Sequence, residues 1–230
     1  MGAAPTRILL ADDHALLRDG LRRLIERIEG VEVVAEAEDG KAVIGKVRDN
    51  RPELVLLDVA LPLLNGLDAC AQIVKRFKGV KVLMVSSHAN EAYVLKALQN
   101  GAKGYMLKSA SAAELEVAIK STARGKRYLS PEVSGFVIDA VISGEKVDSP
   151  LDLLTGRQRE VLQLIAEGMT NREMAEHLDV AESTIETHRT NLMNKLDIHD
   201  LASLVLFAVR SGLVDGGHAG QLDEDPGQPA

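Results

Sequence analysis

Short, mostly apolar runs rich in Val, Leu and Ala recur five times in the first half of this chain, each separated from the next by room for one helix. Arg7–Ala11 is the first, Val31–Glu36 the second, Leu54–Leu57 the third, Val80–Val85 the fourth and Ala102–Met106 the fifth. Strands buried on both faces of a parallel sheet have this short, near-continuous apolar character. Between the runs lie stretches such as Leu16, Leu17, Leu21, Leu24, Ile25 and Ile28, whose three- and four-residue spacing makes the stripe of an amphipathic helix. Gly30, Asn100-Gly101 and Gly125 stand where the first, fourth and fifth helices must stop. Strand–helix alternation repeated this often predicts a doubly wound parallel sheet.

Ligands of such sheets bind at the carboxyl ends of the strands, so the residue after each run matters most. Asp58 closes the third run, Asp12-Asp13 follow the first, Ser86-Ser87 close the fourth and Lys108 follows the fifth. If strands 1 and 3 are neighbours, three carboxylates meet, and their mutual repulsion calls for a cation. Mg²⁺ suits, because it takes a few carboxylates together with waters and phosphate oxygens. The first turn, Ala11-Asp12-Asp13-His14-Ala15, has no glycine-rich loop to cradle a pyrophosphate. Aspartate can instead accept a phosphoryl group itself, a reaction catalysed mainly by positioning and charge neutralisation. Mg²⁺ at Asp12 and Asp13 and the Lys108 ammonium supply that neutralisation, and Ser86 can hydrogen-bond a phosphoryl oxygen. Taken singly, a strand-end Ser or Lys is usually structural and two adjacent aspartates usually make a turn. Their coincidence at four strand ends carries the signal. His14 reads as a partly solvated helix-start residue and Cys70 as packing.

These residues resemble a response-regulator receiver domain over residues 5–124. Asp12-Asp13, Asp58, Leu61-Pro62-(x3)-Gly66, Ser86, Gly104-Tyr105 and Lys108 match that pattern in order and spacing. The resemblance implies a flavodoxin-like (βα)5 fold and a phosphoryl group passed to Asp58 from a sensor histidine kinase. It also implies that Asp12, Asp13, Asp58 and the Ala60 carbonyl hold Mg²⁺, with Ser86 and Tyr105 as a switch pair. Ser109 stands where many receivers carry proline, and the Lys108-Ser109 form resembles receivers of the NarL/FixJ class. Ala60 departs from the longer apolar residue common there, which matters little if only its carbonyl binds.

Residues 126–150 carry no strand pattern; Ser130 and Pro131 can cap and open a short helix, and Ser143–Pro150 reads as a flexible linker. From Leu151 the pattern is wholly helical. Thr155 can cap a helix carrying Val161, Leu162, Leu164 and Ile165; Asn171–Leu178 is a brief second helix; Ser183 can cap a third. Two short helices around the turn Asp179–Glu182 fit a helix-turn-helix, whose second helix enters the major groove. Leu154-Thr155-Gly156-Arg157-Gln158-Arg159-Glu160, Gly168-(x2)-Asn171-Arg172-Glu173-Met174-Ala175 and Thr184-Ile185-Glu186-Thr187-His188 resemble a LuxR-type DNA-binding domain. Carried over onto this chain, the resemblance implies that Ser183, Thr184, Glu186, Thr187, His188, Arg189 and Lys195 lie at the DNA, with Asn171 near the phosphates. Glu186 stands where many members carry lysine; glutamate can accept from cytosine N4 but repels phosphate.

The organisation expected is therefore a receiver at 5–124, a linker with a short helix at 125–149, a small all-α helix-turn-helix domain at 150–215 and a disordered tail at 216–230. The net charge of −7 is uneven: residues 151–217 carry 6 Lys and Arg against 11 Asp and Glu. This acidity favours weak backbone binding and a DNA-bound homodimer formed on phosphorylation. It also motivates the alternative of a phosphorylation-dependent regulator whose second domain docks on a protein. A phosphatase using Asp58 as nucleophile is disfavoured, because Ala60 stands where a second acid–base carboxylate is needed. No enzymatic activity is expected beyond phosphoryl transfer and hydrolysis at Asp58. No apolar run approaches the roughly 20 residues that span a bilayer. Met1–Thr6 lacks secretory features, and the single cysteine allows no intrachain disulfide, so a cytoplasmic protein without membrane partners is expected.

Overall fold

The computed structural model describes residues 4–87, 89–143 and 150–214. The chain divides into two compact units, residues 1–148 and 149–230. Most of the expected connection Ser143–Pro150, and the tail from Gly216, lie outside the described residues.

The first unit alternates strand and helix: β1 Thr6–Ala11, α1 Ala15–Ile25, β2 Val31–Ala37, α2 Gly40–Asn50, β3 Leu54–Asp58, α3 Gly66–Arg76, β4 Lys81–Ser86, α4 Glu91–Gln99, β5 Gly104–Leu107 and α5 Ala112–Ala123. All strand pairs are parallel, in the order β2-β1-β3-β4-β5, with a sixth strand beyond β5. This is the flavodoxin-like (βα)5 arrangement that the alternation and the resemblance led us to expect. The sixth strand, β6 at Tyr128–Leu129, was not expected. Two residues are too few to show a period, and their pairing with Gly104 and Tyr105 is what makes them a strand. The helix after it, α6 Pro131–Ser143, opens on Pro131 and packs against α4. The Ser130 hydroxyl turns to the sheet and accepts the Leu107 amide at 3.2 Å.

Alternation along each strand splits the core into two layers. Leu9, Val55, Leu57, Val82 and Met84 pack with Val43 and Val47 of α2, Ala69, Cys70 and Ile73 of α3, and Val94 and Ala97 of α4. Ile8, Leu10, Leu54, Leu56, Leu83 and Val85 point the other way, onto Leu21 and Ile25 of α1 and Leu115, Ala118 and Ile119 of α5. Burial on both faces is why these strands read as continuous apolar runs. The chain leaves β1 in one direction for β2 and returns on the other side for β3, which opens a crevice at their carboxyl ends. Asp12 and Asp58 stand at that crevice.

The second unit is all helical. A short 3₁₀ turn at Pro150–Leu153 precedes α7 Gly156–Ala166, α8 Asn171–Leu178, α9 Glu182–Leu196 and α10 Leu201–Arg210. Val161, Leu162, Leu164 and Ile165 of α7, Met174 of α8, Ile185 and Leu192 of α9, and Leu204 and Ala208 of α10 form its buried interior. Thr155 caps α7 as expected, and Gln158 reaches back to complete a capping box. Thr170 and Glu173 do the same for α8. The expected cap of the third helix is corrected: the cap position is two residues earlier, at Ala181, with no side-chain cap, and α9 begins at Glu182. Ser183 therefore lies inside the first turn, and its carbonyl accepts the Thr187 hydroxyl at 2.9 Å. No helix among the described residues is long and apolar enough to cross a membrane.

Candidate functional site

At the carboxyl edge of the sheet, β1 ends into Asp12, β3 ends on Asp58, β4 ends on Ser86, and Lys108 follows β5. Asp12, Asp58 and Ser86 are all buried, and the Lys108 side chain is only 9% exposed. The Lys108 Nζ lies 2.6 Å from Asp58 Oδ2 and 2.8 Å from Asp12 Oδ2, so one ammonium bridges two carboxylates. The Asp58 Oδ1 accepts the Ala60 amide at 3.4 Å, and Asp12 Oδ1 accepts the His14 amide at 2.9 Å. Burial raises Asp58 to about 6, against the opposing pull of Lys108; Asp12 adds to the rise. For Lys108, burial pushes the ammonium down, but Asp58 and Asp12 outweigh it and hold it above its ordinary value.

The loop after β3 sets the approach to Asp58. The Gly66 amide donates to the Val59 carbonyl at 2.8 Å, and Asn65 caps α3 by accepting the Asp68 amide. A Cβ on Gly66 would lie 1.8 Å from the Asp58 carbonyl oxygen, so only glycine allows this closeness. This is the physical content of the Leu61-Pro62-(x3)-Gly66 motif.

Asp12, Asp13, His14 and Asp58 each offer a ligand atom, all within 4.8 Å of one another. Clustered carboxylate oxygens of this kind fit a hard divalent cation such as Mg²⁺. His14 precedes α1 and is half exposed, as read from the sequence, but its Nδ1 also lies 2.8 Å from Asp13 Oδ1. Tyr105 is fully buried and hydrogen-bonded to Ser86; burial raises its hydroxyl to about 12. The two residues read as a switch pair are thus in contact.

Sequence reasoning missed Arg18. Its Nη1 donates to the Asp12 carbonyl at 2.6 Å, and its Nε lies 3.3 Å from Glu36 Oε2. An arginine one turn into an amphipathic helix gives no such signal until the end of β1 is placed beside it.

In the second unit, α8 and α9 are joined by a turn in which Asp179 adopts the left-handed conformation (φ 53°). Ser183, Glu186 and Thr187 are exposed on α9, while Thr184, His188 and Arg189 are partly covered. The cations here are engaged within the unit. The Arg189 Nη1 donates to Asn171 Oδ1 at 2.5 Å, and Lys195 Nζ donates to the Leu153 carbonyl and to Gln158 Oε1 at 3.1 and 3.0 Å. Asn171 and Arg189, expected at DNA from separate helices, are therefore brought together, whereas Lys195 sits at the far end of α9.

Comparison with known proteins matches both units. Residues 8–120 fit the family model described as "Response regulator receiver domain", and residues 152–208 fit "Bacterial regulatory proteins, luxR family". The transcriptional regulatory protein DegU of Brevibacillus brevis is 34% identical over 223 residues, covering 90% of this chain and 94% of DegU. Among solved structures, a LuxR-family two-component response regulator from Aurantimonas sp. SI85-9A1 is 37% identical, with a TM-score of 0.58 over 60% of this chain and 99% of that one. The RcsB response regulator of Salmonella typhimurium is 25% identical, with a TM-score of 0.57 over 90% of this chain and all of RcsB. With both units matched and a relative about one-third identical along nearly its whole length, the chain belongs to the two-component response regulators of the NarL/FixJ class, phosphorylation-controlled transcriptional regulators that join a receiver to a LuxR-type helix-turn-helix domain.

Proposed function

We propose that Asp58 is the phosphoacceptor and that its phosphorylation by a sensor histidine kinase controls binding of residues 150–215 to double-stranded DNA. The observation that carries this reading is the Lys108 ammonium held between Asp58 and Asp12 at hydrogen-bond distance. An Asp58 carboxylate oxygen attacks phosphorus, the P–N bond of the donor phosphohistidine breaks, and the imidazole leaves with the bonding pair. Asp12, Asp13, Asp58 and the Ala60 carbonyl are the groups that would hold Mg²⁺, which when bound neutralises charge on the phosphoryl oxygens. Lys108 leaves its ion pair to meet one phosphoryl oxygen, and Ser86 exchanges its Tyr105 partner for another. Asp58→Asn, given a labelled small phosphodonor and Mg²⁺, should take up no label; label on the mutant would remove the assignment.

Phosphorylation adds roughly −1.5 to −2 charges to a buried site. Tyr105 packs beside Ser86, so a shift of the Ser86 hydroxyl reaches the β5 end of the sheet directly. The output at α9 is expected to need two copies. Residues 151–217 are acidic overall, and both Arg189 and Lys195 have partners within their own unit. Phosphate contacts by one copy are thus few, and a homodimer doubles them. Ser183, Thr184, Glu186, Thr187 and His188 are assigned to the groove, and Asn171, Arg189 and Lys195 to its phosphate rim. RcsB, similar over most of the chain, has been studied for its DNA interaction, which supports the same output here. Residues 5–124 form the receiver on this reading, 125–149 the connection and 216–230 the tail. The protein acts in the cytoplasm, where kinase output and chromosome meet.

A further inference from the structure

We infer that Arg18 is a positioning residue for the acidic pair, setting its affinity for a divalent cation by fixing the Asp12–Asp13 backbone. This inference rests on the proposed Mg²⁺ site. Asp12 is held at several points. Its amide donates to the Ala37 carbonyl at 3.1 Å, and its carboxylate meets the His14 amide and Lys108. The remaining backbone group, the carbonyl that begins the peptide leading to Asp13, accepts Arg18 Nη1 at 2.6 Å.

The guanidinium is suited to this task. Its side chain is only 16% exposed, and its second contact is Glu36 on β2, the neighbour of β1. Glu36 is held in turn: Arg22 Nη1 lies 3.0 Å from its other carboxylate oxygen, and Lys46 Nζ donates to its carbonyl. Arg18 therefore links the backbone at the end of β1 to a braced carboxylate on the adjacent strand. The planar fork serves both at once, which a single-point ammonium cannot. Glu36 also compensates the Arg18 charge, which would otherwise oppose a cation at Asp12 and Asp13. Groups that orient metal ligands in this way typically change metal affinity by 10–100-fold when removed.

Mn²⁺ serves as the probe, with free Mn²⁺ read by electron paramagnetic resonance during titration of the full chain. Arg18→Ala should weaken Mn²⁺ binding at least tenfold, and Arg18→Lys should fall between Arg18→Ala and wild type. Arg22→Ala, which removes one brace of Glu36 without touching Asp12, should weaken Mn²⁺ binding less than Arg18→Ala does. Phosphoryl uptake by Arg18→Ala from a small phosphodonor should need more Mg²⁺ for half-saturation yet reach the wild-type plateau, a split that general loosening would not produce. If Arg18→Ala does not fold, as read by circular dichroism, Glu36→Gln takes its place and should weaken Mn²⁺ binding in the same direction. Unchanged Mn²⁺ affinity in the folded Arg18 variants overturns the inference, and tighter binding overturns it in favour of simple charge repulsion. Absence of Mn²⁺ binding by the wild-type chain would overturn the metal site itself and the inference with it.

Discussion

Lys108 reaches across β4 to Asp58: its Nζ lies 2.6 Å from Asp58 Oδ2, joining the end of β5 to the end of β3. The same ammonium lies 2.8 Å from Asp12 Oδ2, so a single cation compensates two buried carboxylates. Removing one partner of a buried ion pair is more damaging than never having had the pair.

Lys108→Ala should therefore be destabilised by about 3 kcal/mol without divalent cation. Added Mg²⁺ should recover part of that loss, since it compensates the same carboxylates. Phosphoryl uptake should remain slow even at saturating Mg²⁺, because a charge that meets the transferring group is gone. Urea unfolding with and without Mg²⁺, alongside a label-uptake assay, measures both.

Asp58 gives the pH dependence. Its folded-state value is raised to about 6 from an ordinary value of 3.8, chiefly by burial. The folded chain then holds a proton that the unfolded chain has lost between these values. The stability this contributes is fully present below pH ~4 and is lost as pH rises through ~6, a fall of about 3 kcal/mol. Asp58→Asn has no such proton to lose, so its unfolding free energy should exceed that of wild type increasingly between pH 4 and 6 and level off above. Equal pH profiles for mutant and wild-type unfolding would contradict this account.

Gly66→Ala tests the loop that frames the acceptor. The added methyl would meet the Asp58 carbonyl oxygen at 1.8 Å, and backbone on both sides must move apart. A loss of about 2 kcal/mol or more is expected, with slower phosphoryl uptake because Asp58 itself is displaced. Gly45→Ala, on the same sheet face but with nothing within 4 Å of the added Cβ, is the control and should be neutral or slightly stabilised.

The sequence was most legible where one physical requirement acts along a whole segment. Strands buried on both faces must be apolar throughout, so the first five strands could be read, and with them the carboxylates at their ends. The two-residue strand Tyr128–Leu129 could not, because its identity lies in its pairing with β5 rather than in its own residues. The cap of α9 was misread for a related reason. Ser183 is a good capping residue, yet the chain enters the helix at Glu182 after Ala181, with the turn set by Asp179 in the left-handed conformation. Arg18 and the engagement of Arg189 by Asn171 are contacts between elements, and helix periodicity carries no information about them.

Salt dependence tests the reading of α9. With Arg189 and Lys195 as the cations assigned to the rim, a dimer makes about four phosphate contacts from this element, and the logarithm of the binding constant should fall with log salt at a slope near −4. Arg189→Ala should lower affinity for all sequences alike and make the slope shallower by about 2 per dimer. It should also free Asn171 from its 2.5 Å contact, without unfolding the unit. Fluorescence anisotropy on a fixed duplex at several salt concentrations decides it.

On the proposed reading, phosphorylation at Asp58 switches DNA binding by the second unit. Its most direct test is selection from a random duplex library, run in parallel with and without a small phosphodonor and Mg²⁺. An inverted repeat should be enriched in the phosphorylated arm and lost for Asp58→Asn. Equal enrichment of the same repeat in both arms, or in the mutant, would contradict the switch.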